Sequence, residues 1–557
     1  MMISSSNNRR ALTLIEMLIG MAITLVMMAA VVNLFANISQ GVRNRRATME
    51  VSANLRIART QLFNDLAGAT CLKYPKNAHG VMPKPDSNNP PDGYFEYVEG
   101  EYSDDNPGGT IDTATSLVPS SDDPAHFDAK GNPLDPNYVT DGGGLGDYDD
   151  ILAMTVENEV EKFRGKGRGL RPGGDPTIAG DWIDMAISSP VAEVVWYAVQ
   201  NPTDRSEGEP GMRKVYRRTL LVAPWYGTET KTIGGTPSTG SDPLLDLVTR
   251  GFSTHEQQLL ALRDFQEKYD ISVRLENGRL VPNTLADLAR RENRFAHSPN
   301  DSINSINYFP HRFPYDTGEP DICEEVNEGD SSLRRLQGER QGEDLVLTDV
   351  LGFDVQIYDP GAPLIADGPT TILEPNSPRW AVLAYPSQRS PSQTPVGFGA
   401  YVDLYWRSLH TPWDQPPTLA RWTAAANDPR PQFGDLPTIK SGLAQTTADY
   451  RSVVYDTWTT YYETDQIDQD NMDGDNNILT GADEGTNGLD DPGFYDTDND
   501  PSTPPVVLTI NGPDDPGERE TSPPYPYPLL GVQVKLRVYE PESRQIRETT
   551  VTRNLAK

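Results

Sequence analysis

ALTLIEMLIGMAITLVMMAAVVNLF, residues 11–35, is the stretch that decides the architecture of this chain. From Leu12 to Phe35 it carries a single charge, Glu16. A helix over this stretch rises about 36 Å, enough to cross a hydrocarbon core of about 30 Å. A secretory signal peptide would have a shorter apolar run followed by small residues at its cleavage site. Here the small residue, Ala11, comes first, behind a short polar leader whose Arg9 and Arg10 suit the cytoplasmic side. Arg43, Arg45 and Arg46, beyond the span, outnumber the leader arginines and run against that same bias.

Glu16 asks for a partner, since an ionised side chain at the centre of a bilayer costs roughly 2.5 to 3.5 kcal/mol on insertion scales and less near an interface. Cleavage after Ala11 would leave a cationic amine on Leu12, four residues away. Among parallel helices the amine of one subunit can meet the Glu16 carboxylate of its neighbour. The cost of burying each charge alone then becomes a drive to assemble in register.

Ala11 to Glu16 resembles the processing motif of type IV prepilins and type II secretion pseudopilins. That resemblance implies a prepilin peptidase that cuts between Ala11 and Leu12 and N-methylates Leu12, with Glu16 in the acidic position that directs assembly. Ala11 stands where the family has Gly, and Leu12 where it has Phe. The alternative is an ordinary signal anchor that happens to spell TLIE.

No proline falls between Leu12 and Pro75, so one helix is expected from Leu12 to about Gly68, roughly 85 Å long. Val51, Leu55, Ala58, Leu62 and Leu66 form a stripe along one face, with Arg56, Arg59, Asn64 and Asp65 off it. The first half is apolar all round, for lipid or a filament core, and the second is amphipathic, for a globular head. NLRIARTQLFNDLAGAT, residues 54–70, is similar to the helix end of J-type minor pseudopilins and W-type minor pilins. The expected fold is therefore α+β, a pilin-like lollipop: a long transmembrane and amphipathic helix, then an antiparallel β-rich head with long loop insertions.

Beyond Cys71 the apolar runs are short, rich in Val, Ile and Tyr, and separated by Gly, Pro and Asp, which reads as strands. Strands are expected at Ile151 to Val156, Ala192 to Val199, Lys214 to Ala223, Gly352 to Tyr358 and Gly399 to Trp406. A terminal hairpin is expected at Gly531 to Tyr539 and Arg547 to Arg553. Their order resembles the strand series of the J and W subunits. The expected division is a leader at 1–11, membrane helix at 12–35, its amphipathic continuation at 36–68, and head segments at 69–224 and 343–557 around a partly helical insertion at 225–342. In that insertion, Ser253 with Glu256 has the form of a capping box and Asn283 can cap LADLARREN; the two helices look like a small appended lobe. Pro90 to Asp150, poor in apolar residues, reads as a long loop or a partly disordered stretch.

The formal net charge of −33 makes nucleic acid a poor partner. Residues 463–500 are dense in Asp, with no Lys or Arg, and a flexible Asp/Asn/Gly loop suits calcium. The best register, Asp473, Asp475, Asn477 and Glu484, imitates part of an EF-hand loop, but Ile478 stands where that loop needs Gly; a solvated acidic loop is the alternative. The basic run KFRGKGRGLRPGG, residues 162–174, has no Walker signature and reads as a loop between strands; it is the clearest basic patch on the chain and, in an uptake pilus, a surface for DNA. His255-Glu256 begins like a zincin motif, but Leu259 stands where the second His belongs. Cys71 and Cys323 are the only cysteines, either a pair or two unreactive thiols.

Taken together, the resemblance implies a non-enzymatic minor pseudopilin of a type II secretion pseudopilus, its head in the periplasm. A type IV pilus minor pilin is one alternative, and a calcium-stabilised surface protein anchored by the helix another. The implied partners are prepilin peptidase, other pseudopilins or pilins, the inner-membrane assembly platform and membrane lipid. No cofactor is required, and calcium at residues 463–500 is the one optional ion.

Overall fold

The computed structural model describes residues 14–71, 93–99, 150–201, 212–233, 235–290, 293–295, 336, 338–374, 395–402, 453–457, 530–541 and 545–554. Helix α1 runs unbroken over Leu14–Gly68, as the absence of proline and the change from all-apolar to amphipathic pattern predict. It ends where the chain meets the head. Ala69 bridges Val156, and the Thr70 N–H donates to the Thr155 carbonyl at 2.9 Å. A side chain at Gly68 would stand 2.8 Å from the Glu157 carbonyl oxygen, so glycine is what lets the helix end abut the sheet.

The strands are β1 (Phe95–Glu99), β2 (Ile151–Glu157), β3 (Phe163–Leu170), β4 (Trp182–Ser189), β5 (Val191–Gln200), β6 (Arg213–Leu221), β7 (Thr228–Ile233) and β8 (Thr236–Ser241). Helix α2 (His255–Lys268) precedes β9 (Val273–Glu276), β10 (Arg279–Pro282), β11 (Leu345–Asp367), β12 (Thr371–Leu373), β13 (Gly397–Val402), β14 (Val453–Asp456), β15 (Gly531–Glu540) and β16 (Gln545–Asn554). The main sheet is antiparallel in the order β14-β1-β2-β5-β6-β11-β15-β16, with β12 and β13 also pairing β11. The pairs β3–β4, β7–β8 and β9–β10 are small hairpins beside it. The expected strands fall on β2, β5, β6, the middle of β11, β13 and the β15–β16 hairpin; the part of the fifth beyond Val402 lies outside the described residues.

The sheet is covered on both faces, which explains why β2 is buried almost from end to end. Leu152, Met154 and Val156 share a core with α1, while Ile151 and Ala153 pack with Leu288 and Phe295 on the opposite side. Alternation along the strand sends successive side chains to opposite faces, so both sets must be apolar.

Five readings need correction. The stretch taken as a long loop contains β1, whose Phe95 and Tyr97 enter the core between β2 and β14. The basic run is a strand rather than a loop, because its glycines alternate with Arg164, Lys166 and Arg168. A Cβ on Gly165 would lie 2.5 Å from that of Asp270, and one on Gly167 would strike Ile187, so the glycine face is the packed one. Helix α2 is capped one residue later than expected, by Thr254 with Gln257. It does not form a lobe of its own: Leu262, Phe265 and Tyr269 lie in the same core as the α1 stripe. Asn283 caps no α-helix. It is buried and donates to Ser272 Oγ at 3.0 Å and the Asn293 carbonyl at 2.8 Å, while Thr284 Oγ1 accepts from the Asp287 N–H at 3.1 Å where a single 3₁₀ turn, Asp287–Ala289, begins.

Candidate assembly helix and its seat on the head

Among the described residues, none packs over the apolar first half of α1. The strongest 18-residue window in Met17–Gly68 has a mean hydropathy of 2.3 and is 0% buried. Leu14, Met17, Leu25, Val26 and Phe35 are each more than half exposed. Since each large apolar side chain gains about 1.5–3 kcal/mol on leaving water, this surface demands lipid or other helices around it. Glu16 falls in the first turn of α1. Ala11 and Leu12 lie outside the described residues.

The second half is seated on the sheet. Leu55, Ala58, Leu62 and Leu66 are buried and Val51 is half-buried, whereas Arg56, Arg59 and Asn64 face outward, all as the stripe predicts. Asp65 does not. It is buried, its Oδ2 accepting from Trp196 Nε1 at 2.8 Å and Arg217 Nε at 2.7 Å, and its Oδ1 from Arg217 Nη2 at 2.7 Å. Trp196 on β5 and Arg217 on β6 are cross-strand partners, so they face the helix together. The bidentate fork fixes the roll of α1 on the sheet as apolar contacts alone do not. Asp65 follows Leu62 by three residues, on the flank of the stripe, and that position was the only sign of it in the sequence.

Elsewhere the head buries charge in pairs. Arg294 Nη1 donates to Glu96 Oε2 at 2.8 Å with both side chains almost wholly buried, and its guanidinium stacks 4.1 Å from the Tyr94 ring centroid. Glu193 accepts from Tyr94, Ser272 and the Phe295 N–H. Burial, followed by the Glu193 charge, pushes the Tyr94 phenol well above its ordinary range, so it remains a donor. Asp270 ties α2 to the sheet through Arg218, Arg340 and the Lys166 N–H. Burial pushes up the carboxyls of Asp242, Asp344 and Asp354, the last in spite of Lys535 at 3.1 Å.

Asp473, Asp475, Asn477 and Glu484 lie outside the described residues, as does Cys323; Cys71 is buried in the core. His255 and Glu256 open α2, and among the described residues no group of three His, Cys, Asp or Glu could hold a metal. In the basic strand, Arg168 is bound to Asp242 at 2.8 Å and to the Trp182 carbonyl at 2.8 Å, while Lys166 lies 3.8 Å from Asp184. These two cations are answered by the head's own carboxylates.

The prokaryotic N-terminal methylation motif matches residues 6–32. The match covers the second half of the leader, Ala11 to Glu16 and most of the span, and it supports a type IV pilin-like or pseudopilin-like protein anchored by its first helix. No curated protein and no solved structure matches the chain.

Proposed function

We propose that this chain is a J-like minor pseudopilin that helps form or cap the tip of a type II secretion pseudopilus, and that it works by assembly rather than by catalysis. The observation supporting this is the division of α1, bare and apolar over the methylation-motif half and locked to the head over the other. Prepilin peptidase cuts between Ala11 and Leu12 and methylates Leu12. The new amine pairs with Glu16 of a neighbour, and the apolar half joins the filament core as the head remains outside the membrane. Partners are other pseudopilins and the inner-membrane assembly platform.

Mass spectrometry of the N-terminal peptide recovered from native membranes tests the first step. A terminus at methylated Leu12 is expected; only an intact Met1 terminus, with active peptidase present, refutes assembly by this route. Glu16→Ala tests the second step, with membrane insertion kept and filament incorporation lost. Cross-linked neighbours identify the filament, secretion pseudopilins supporting the proposal and pilus subunits replacing it with the type IV pilus reading.

A further inference from the structure

Glu16 and Arg43 bound a run, residues 17–42, that has no charged side chain and lies wholly within α1. The helical rise between them is about 40 Å, the thickness of a bilayer together with its headgroups. While the subunit is anchored in the membrane, as the reading above requires, Arg43, Arg45 and Arg46 therefore stand at headgroup level on the side of the head. Arginines there oppose the usual bias.

The fold gives two of them something to do at that level. Arg43 and Arg46 line a cleft of about 450 Å³ between α1, the start of β11 and the end of β15, whose other walls include Glu50, Asp349, Tyr539 and Glu540. Asp349 holds a left-handed backbone, φ 54°, where β11 is irregular on both sides. Such strain in a non-glycine residue recurs at ligand clamps. Among the described residues no ion pair within 4 Å occupies Arg46, Glu50 or Asp349, and Arg43 donates to Gln40 Oε1 at 3.1 Å. Arg43, Arg46, Glu50 and Asp349 thus face one space without forming ion pairs among themselves.

Their order along the helix is directional. Glu50 lies one turn past Arg46, roughly 6 Å further from the bilayer. A phospholipid head ending in a primary ammonium has the same order, phosphate nearer the acyl chains and ammonium beyond it. We infer that the cleft binds a zwitterionic phospholipid headgroup, with Arg43 and Arg46 on the phosphate and Glu50 and Asp349 on the ammonium. Guanidinium to phosphate and carboxylate to ammonium are both charge-assisted hydrogen bonds. A head with phosphate but no ammonium would leave the two carboxylates facing a neutral group. Bound in this way, the lipid holds the head against the membrane until assembly withdraws the helix.

The test is native mass spectrometry of the full-length protein, extracted in mild detergent with equal phosphatidylethanolamine and phosphatidylglycerol. Resistance of the membrane-bound protein to carbonate extraction is measured alongside. The expected result is a single retained phosphatidylethanolamine, favoured about fivefold over phosphatidylglycerol, a modest selectivity for one ionic contact. Arg43→Gln with Arg46→Gln should abolish retention, and Glu50→Gln with Asp349→Asn should keep a lipid but erase the preference. Equal retention of the two lipids by the unaltered protein, or retention unchanged by the arginine pair, overturns the headgroup site. Carbonate-resistant protein with that outcome leaves the anchor reading standing, whereas release by carbonate overturns both.

Discussion

Replacing Asp65 by alanine should loosen the helix from the head without unfolding either. The carboxylate accepts three hydrogen bonds at 2.7 to 2.8 Å, two from Arg217 and one from Trp196. Removing one member of a buried ion pair costs roughly 3–5 kcal/mol, because the remaining charge is left in a poor solvent. Arg217 keeps 17% of its side-chain surface exposed, and water reaching the guanidinium brings the expected cost to about 2–4 kcal/mol. Leu55, Ala58, Leu62 and Leu66 stay buried in Asp65→Ala, so the loss should appear as local opening. Hydrogen exchange of the full-length protein in micelles, read on peptides from residues 55–71, should accelerate roughly 30- to 1,000-fold. Peptides from the β7–β8 hairpin should not change. A cycle with Arg217→Gln should give a coupling of about 1–3 kcal/mol. Exchange within about threefold of the unaltered protein, or strictly additive single substitutions, would refute the clamp.

Three further outcomes rest on buried charges and close packing elsewhere in the head. Burial acts to raise the Asp270 carboxyl, but Arg218, the Lys166 N–H and Arg340 outweigh it and hold the group below the usual carboxylate range. Its stabilising contribution is therefore complete above the unfolded value of about 3.9 and is lost as pH falls through the lowered folded value. Asp270→Asn should cost roughly 2–4 kcal/mol at neutral pH in a urea titration, and the gap from the unaltered protein should close in acid; a gap that is independent of pH would contradict the assignment. Glu96→Ala leaves Arg294, whose side chain is 0% exposed, without its carboxylate and should cost about 3–5 kcal/mol, seen as a lower thermal midpoint; an unchanged midpoint would mean the pair is not buried as described. Gly68→Ala should destabilise the helix–sheet junction by about 1–3 kcal/mol because its Cβ meets the Glu157 carbonyl. Gly41→Ala, where nothing lies within 4 Å, should stabilise α1 by about 0.5–1 kcal/mol, and the same sign for both glycines would count against the packing at Gly68.

Local pattern carried a large part of this protein. The apolar run, the absence of proline and the stripe from Val51 to Leu66 are properties of consecutive residues, and they predicted α1, its change of character and the face it buries. Alternating or continuously apolar runs located β2, β5, β6 and the terminal hairpin for the same reason, since a strand's faces are set by its own order of residues. The Ala11 to Glu16 motif was legible because its parts are contiguous. Other features depend on residues far apart in the chain. Asp65 looks like any solvent-facing acid until β5 and β6 bring Trp196 and Arg217 to it across more than a hundred residues. β1 was read as loop because five residues within a polar stretch show no period of their own; they become a strand because β2 and β14 supply hydrogen bonds on both sides. The glycines of β3 looked like loop chemistry until Asp270 and Ile187 occupied the space above them. The cleft at Arg43 and Arg46 exists only where helix and sheet ends meet. Periodicity along one chain determines helices, strands and their buried faces. Which charge meets which, and where a cavity remains, is decided by tertiary packing, because those pairings are set by distance in space and leave no trace in the local order of residues.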